Sequence, residues 1–110
     1  MNDPINVMLV EDHAGYRDVI TRTLSSAERI QLVSQFGTAE IALRELQESK
    51  DQDTPDLVLL DLNLPGMSGL EAMPWFLESA PHIKIIILTQ SDREADVLTA
   101  ISQGASGSLL

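Results

Sequence analysis

"LVLLDLNLPG", residues 57–66, opens with four consecutive apolar residues, Leu57 to Leu60, runs into Asp61, and ends in the turn pair Pro65 and Gly66. An unbroken apolar run of this length reads as a strand buried on both faces, the kind found in parallel sheets covered by helices. Asp favours turns, so a carboxylate at the end of such a strand belongs to the edge of the sheet rather than to its core.

Three other stretches follow the same grammar. Ile5 to Val10 (INVMLV) is almost wholly apolar and ends in Glu11 and Asp12; Gln31 to Phe36 (QLVSQF) ends at Gly37; Ile83 to Leu88 (IKIIIL) ends at Thr89. Between them the period changes. Tyr16, Val19, Ile20, Leu24 and Ala27 recur at helical spacing, which predicts a helix from His13 to about Ala27. Thr38 caps a second helix with Ala39, Ala42, Leu43 and Leu46 on one stripe. Ser68 and Glu71 form a capping box for a third, in which Pro74 is expected to introduce a kink or shift the start. Ser91 and Glu94 form another box before a helix whose stripe is Ala95, Leu98 and Ile101, closed by Gly104. Ser106 to Leu110 (SGSLL) begins a fifth apolar run, and Ser49 to Asp56 (SKDQDTPD) reads as a polar surface loop. Strand and helix thus alternate, which predicts an α/β fold with a parallel sheet in one domain, without repeats or low-complexity tracts.

The totals bound the function. At 110 residues and 44% apolar content the chain can bury one core. Without cysteine it has no disulfides or thiolate metal site, consistent with a reducing, cytoplasmic compartment. No apolar run approaches the roughly 20 residues of a membrane span, and the N-terminus lacks the features of a signal peptide. A net charge of −10 argues against direct grip on nucleic-acid phosphates. Most of these acids need only be a solvated surface.

Some have a more specific place. In parallel sheets all C-terminal strand ends share one edge, and ligands of open α/β sheets bind in the crevice outside it. Glu11, Asp12, Asp61 and Thr89 are all predicted there. Crowded carboxylates repel, and a hard divalent cation such as Mg²⁺, which takes oxygen ligands, relieves that repulsion. The same cation would neutralise an incoming phosphoryl group, and Asp61 could attack phosphorus to form an acyl phosphate. A single Asp after a strand is most simply a turn former. Glu-Asp, Asp-x-x-x-Pro-Gly and Leu-Thr at three strand ends together outweigh that reading.

"MLVEDH", "LVLLDLNLPGMSGLE", "IIILTQSD" and "AISQGASGSLL" resemble, in order and over residues 5–110, the receiver domain of two-component response regulators. The His after the acid pair and the ending "QGASG.LL" are most similar to NarL/LuxR-type regulators, whose receivers precede a helix-turn-helix DNA-binding domain. The resemblance implies a doubly wound, flavodoxin-like (CheY-like) sheet of order 2-1-3-4-5. It implies that Asp61 is the phosphoacceptor. Mg²⁺ would be held by the carboxylates of Asp12 and Asp61, by the backbone carbonyl of Asn63 and by Glu11 through water. Thr89 would be the switch hydroxyl, with Gln90 beside it near the phosphoryl group, and Pro65 and Gly66 would shape the loop behind Asp61, with Gly69 starting the next helix. The donor would be a sensor histidine kinase. Phosphorylation would promote a homodimer through the face around the fourth helix and fifth strand and switch a DNA-binding output.

The sequence departs from the family pattern in places. It stops at Leu110, one residue before the family's lysine, and before the fifth helix, so residues 1–110 are read as a receiver domain cut short of its last helix, ahead of an output domain. Loss of that helix is expected to expose apolar surface on one face of the sheet. Ser108 stands where the family has an aromatic switch residue, and Gln90 where it keeps a small one. Two rival functions remain: an aspartyl phosphatase, which needs a second acid where Asn63 stands, and a binding module that ignores phosphate. His13 is read as a first-turn helix residue, His82 as a loop residue, and Trp75 as packed or part-exposed.

Overall fold

The computed structural model describes residues 3–49, 54–88 and 94–109. In chain order these form β1 (Ile5–Val10), α1 (Ala14–Ser25), β2 (Ile30–Phe36), α2 (Ala39–Glu48), β3 (Leu57–Asp61), α3 (Gly69–Ser79), β4 (Lys84–Leu88), α4 (Glu94–Ser102) and β5 (Gly107–Leu109). The strands make one five-stranded sheet, order β2-β1-β3-β4-β5, with every pair parallel. The expected order is therefore the observed one.

Strand alternation divides the core in two. Met8, Val10, Val58, Leu60, Ile85 and Ile87 face α2, α3 and α4, where Ala39, Ala42, Leu43, Leu46, Ala72, Met73, Phe76 and Ala100 meet them. Val7, Leu9, Leu59 and Leu88 face the other way, with Ile20 and Leu24 of α1 packed against them. Phe76 is fully buried, and burying a side chain of that size contributes about 1.5–3 kcal/mol. At the outer edge, Leu32 pairs with Val7 and Ser34 with Met8, so Val33 is an extra residue in the edge strand. Bulges of this kind twist an edge away from foreign strands.

The helix ends follow the sequence signals. Thr38 Oγ1 accepts from the Ile41 N–H at 3.2 Å. Ser68 and Glu71 complete both arms of their capping box. Four readings change. His13 is not in the first turn of α1 but is its N-cap, its Nδ1 accepting from the Tyr16 N–H at 3.1 Å. Pro74 does not shift the start of α3, which runs through it from Gly69 to Ser79. The apolar stripe expected to bury α4 faces outward instead: Leu98 is 66% and Ile101 45% exposed, and Ala95 is exposed, while Ala100 takes the buried position. The sheet face expected to be bare carries no exposed large apolar side chain among the described residues; those lie at Val19, Val33, Ile41, Trp75, Leu98 and Ile101. The Ser91–Glu94 box lies outside the described residues.

Candidate functional site

The register of β1 against β3 brings the acids together. Leu9 pairs with Leu59 and Val10 with Leu60, so the next step along both strands sets Glu11 beside Asp61. The Glu11 N–H donates to the Phe36 carbonyl at 3.0 Å, carrying the β1–β2 ladder one residue past the strand. Glu11, Asp12 and Asp61 each offer a carboxylate oxygen, and these oxygens lie within 4.8 Å of one another. Glu11 and Asp61 are buried and Asp12 is exposed, so the group opens to solvent on one side.

The electrostatics of this arrangement are unfavourable by themselves. Two like charges at such a distance repel by about 3–4 kcal/mol at an effective dielectric near 20. Both Glu11 oxygens are buried without a hydrogen-bond partner. Burial first, and the Asp61 carboxylate second, push Glu11 up from 4.5 to about 8; Asp12 adds to the rise and the His13 backbone opposes it. An all-oxygen set with two orphaned buried oxygens is what a hard divalent cation needs, and the residues present fit one.

Asp61 is aimed by its own turn. Its Oδ1 accepts from the Asn63 N–H at 2.9 Å. Asn63, Asp12, His13, Glu11 and Asp61 line a cleft of about 200 Å³. Behind it the chain turns at Gly66, whose φ of +71° is left-handed and favours glycine. Pro65, beside it, is exposed. A larger cleft of about 670 Å³ opens at the opposite end of the sheet, beside Pro55, Pro81 and Ile83. Among the described residues no second group of acids or histidines lies there within metal-holding reach.

Thr89 and Gln90 lie outside the described residues. Ser108 pairs with Ile87 on β5 and is exposed, so this strand presents a small hydroxyl there. Two charged residues that the sequence reading passed over hold the acid-bearing segments. Arg17 Nη1 donates to the Glu11 carbonyl at 2.6 Å. Glu40 Oε2 accepts from the Met67 N–H at 3.2 Å, in the loop after Asp61. Arg17 left a trace in sequence, a cation near the positive end of a helix. Glu40 left none.

An open parallel sheet of order 2-1-3-4-5 with an acid cluster at its C-terminal edge defines a class, and sequence comparison agrees. The chain belongs to the response regulator receiver domain family, whose sequence model matches residues 7–110. More particularly it is NarL-like. It is 39% identical over 108 residues to the nitrate/nitrite response regulator protein NarL of Escherichia coli K12, covering 98% of this chain and 48% of that protein. It is 37% identical over 103 residues to the response regulator GacA of Pseudomonas aeruginosa, covering 94% and 46%. The crystal structure of a LuxR-family two-component response regulator from Aurantimonas sp. SI85-9A1 superposes with a TM-score of 0.85 at 31% identity, covering 96% of this chain and 73% of that one. The chain spans about half the length of the curated relatives it matches. Among the described residues no helix is long and apolar enough to cross a membrane.

Proposed function

We propose that this receiver takes a phosphoryl group on Asp61 from a sensor histidine kinase. The observation that carries the reading is the convergence of Glu11, Asp12 and Asp61 on one cleft, with both Glu11 oxygens orphaned. Asp12 and Asp61 would hold Mg²⁺ by their carboxylates, the Asn63 carbonyl would add a further oxygen, and Glu11 would act through water. When bound, the cation supplies neutralisation of the charge that phosphoryl oxygens bring into the cluster.

The chain's own residues do the rest. Oδ1 of Asp61 is held by Asn63, leaving Oδ2 to attack. The Oδ2–phosphorus bond forms as the phosphorus–nitrogen bond of the kinase phosphohistidine breaks, and the imidazole leaves with the electron pair. Thr89 and Gln90, next in the sequence after β4, are assigned to the phosphoryl oxygens, with Ser108 at the second switch position. Pro65 and Gly66 shape the loop. Asn63 stands where an aspartyl phosphatase needs its second acid, which supports a stable acceptor over a turnover enzyme.

Residues 1–110 would be the receiver domain of a longer cytoplasmic regulator. A helix-turn-helix output beyond them would bind DNA, and phosphorylation would pair two copies through the α4–β5 face. The outward apolar face of α4 and the half-length match to the response regulator NarL support this. The test is ¹⁹F NMR with beryllofluoride. A bound resonance that requires Mg²⁺ and is lost in Asp61→Asn is expected; no bound resonance in the folded protein overturns the reading.

A further inference from the structure

The acid pair poses a stereochemical problem that the strand alone does not solve. Successive side chains along a strand point to opposite faces. Glu11 and Asp12 are consecutive, yet both place a carboxylate oxygen within 4.8 Å of the others in one cluster with Asp61. The chain must therefore leave strand geometry at the peptide that joins them. β1 ends at Val10, and that peptide lies just beyond. Its carbonyl, the Glu11 C=O, is bonded by the Arg17 guanidinium at 2.6 Å.

Arg17 is unusual for its position. It is the fourth residue of α1, whose first turn holds no acid. A cation is unfavourable at the positive end of a helix, so local helix physics does not explain it. Its side chain folds back past the helix start. A Cβ built on Gly37 would meet Arg17 Nη1 at 3.5 Å, so the guanidinium lies against the β2–α2 turn as well. It is half-buried, where a charge-assisted bond is stronger than a neutral one and harder for water to replace. The Glu11 N–H is fixed on the other side by the Phe36 carbonyl.

We infer that Arg17 is a positioning residue for the cation site: its bond to the Glu11 carbonyl fixes the turn that lets two consecutive carboxylates face one metal. This rests on the receiver reading above. Without the bond the peptide is free to relax toward strand geometry, which would swing Asp12 away from Glu11 and Asp61. Lysine at 17 keeps a charged donor of nearly the same length and should restore much of the effect. Methionine keeps the apolar stem and removes the donor.

The experiment is calorimetric titration of the full chain with Mg²⁺ alone, beside thermal melts of the same samples. Arg17→Met is expected to raise the Mg²⁺ Kd at least fivefold while remaining folded, and Arg17→Lys to return it to within about twofold of wild type. A residue that only supported the fold would lower Tm and leave the Kd of the folded protein unchanged; that result, or wild-type Mg²⁺ binding in Arg17→Met, overturns the inference. Should Arg17→Met not fold, Arg17→Gln, too short to reach the carbonyl, decides by the same criterion, and loss of folding in both also overturns it. Failure of the wild-type protein itself to bind Mg²⁺ would refute the receiver reading, and this inference with it.

Discussion

Gly69, the first residue of α3, lies so close to the backbone of Asp61 that a Cβ on it would overlap the Asp61 carbonyl oxygen and stand 2.9 Å from both the Asp61 carbonyl carbon and the Leu62 Cα. The Gly69 N–H also donates to the Leu62 carbonyl at 3.1 Å. The obstacles are backbone atoms, which cannot rotate out of the way. Gly69→Ala is therefore expected to lose about 1–3 kcal/mol of stability, the usual range for overpacking a well-packed site. Urea denaturation measures it, and wild-type stability would show that helix and strand are not locked together here.

Glu11 makes stability depend on pH. With its carboxyl moved from 4.5 to about 8, the folded chain keeps a proton that the unfolded chain has already released. Its contribution is therefore complete below about 4.5 and is lost as pH rises toward about 8, so metal-free stability falls across that window. Glu11→Gln removes the titration. Its Tm advantage over wild type should be small at pH 5 and grow toward pH 8 by about 5 °C or more, since even ~1 kcal/mol of the effect shifts Tm that far in a domain of this size. An advantage that does not change with pH contradicts this account of the cluster.

Glu40 ties α2 to the loop behind Asp61 through the Met67 N–H. Glutamine at that position keeps an acceptor oxygen and alanine does not. The Met67 amide should exchange with solvent about fivefold faster in Glu40→Ala than in Glu40→Gln, as loss of one modest hydrogen bond implies. Equal exchange in the two variants would mean that the loop holds itself.

Pro74 sits on the exposed side of α3 and has no N–H for the Leu70 carbonyl one turn earlier. Pro74→Ala restores the donor and gives up the stiffness proline brings to the unfolded chain. The net expectation is a gain of about 2 kcal/mol in chemical denaturation. No gain would mean that the helix has adapted around the ring.

Much of this was legible in the sequence because it lies in local rules. Bare apolar runs such as Leu57–Leu60 gave the parallel sheet, and residues at their ends shared an edge by topology alone, which is why Glu11, Asp12 and Asp61 could be grouped before any coordinates. Ser68 with Glu71, and Thr38, announced their helices by side-chain chemistry. What failed needed a partner. The stripe Ala95, Leu98 and Ile101 has helical period, but a period says which residues share a face and not what that face meets. Here α4 is followed by a last strand only three residues long, and the small Ala100 turns inward. Arg17 and Glu40 act on backbone groups six and 27 residues away, and no spacing rule reveals such bonds.

The central claim is that the acid cluster makes Asp61 a phosphoacceptor, and intact mass after incubation with acetyl phosphate tests it most directly. One phosphoryl group should appear with Mg²⁺, none without it, and none in Asp61→Asn, on a chain extended past Leu110 if the shorter one is silent. A folded, extended protein that gains no phosphoryl mass in the presence of Mg²⁺ would contradict the account.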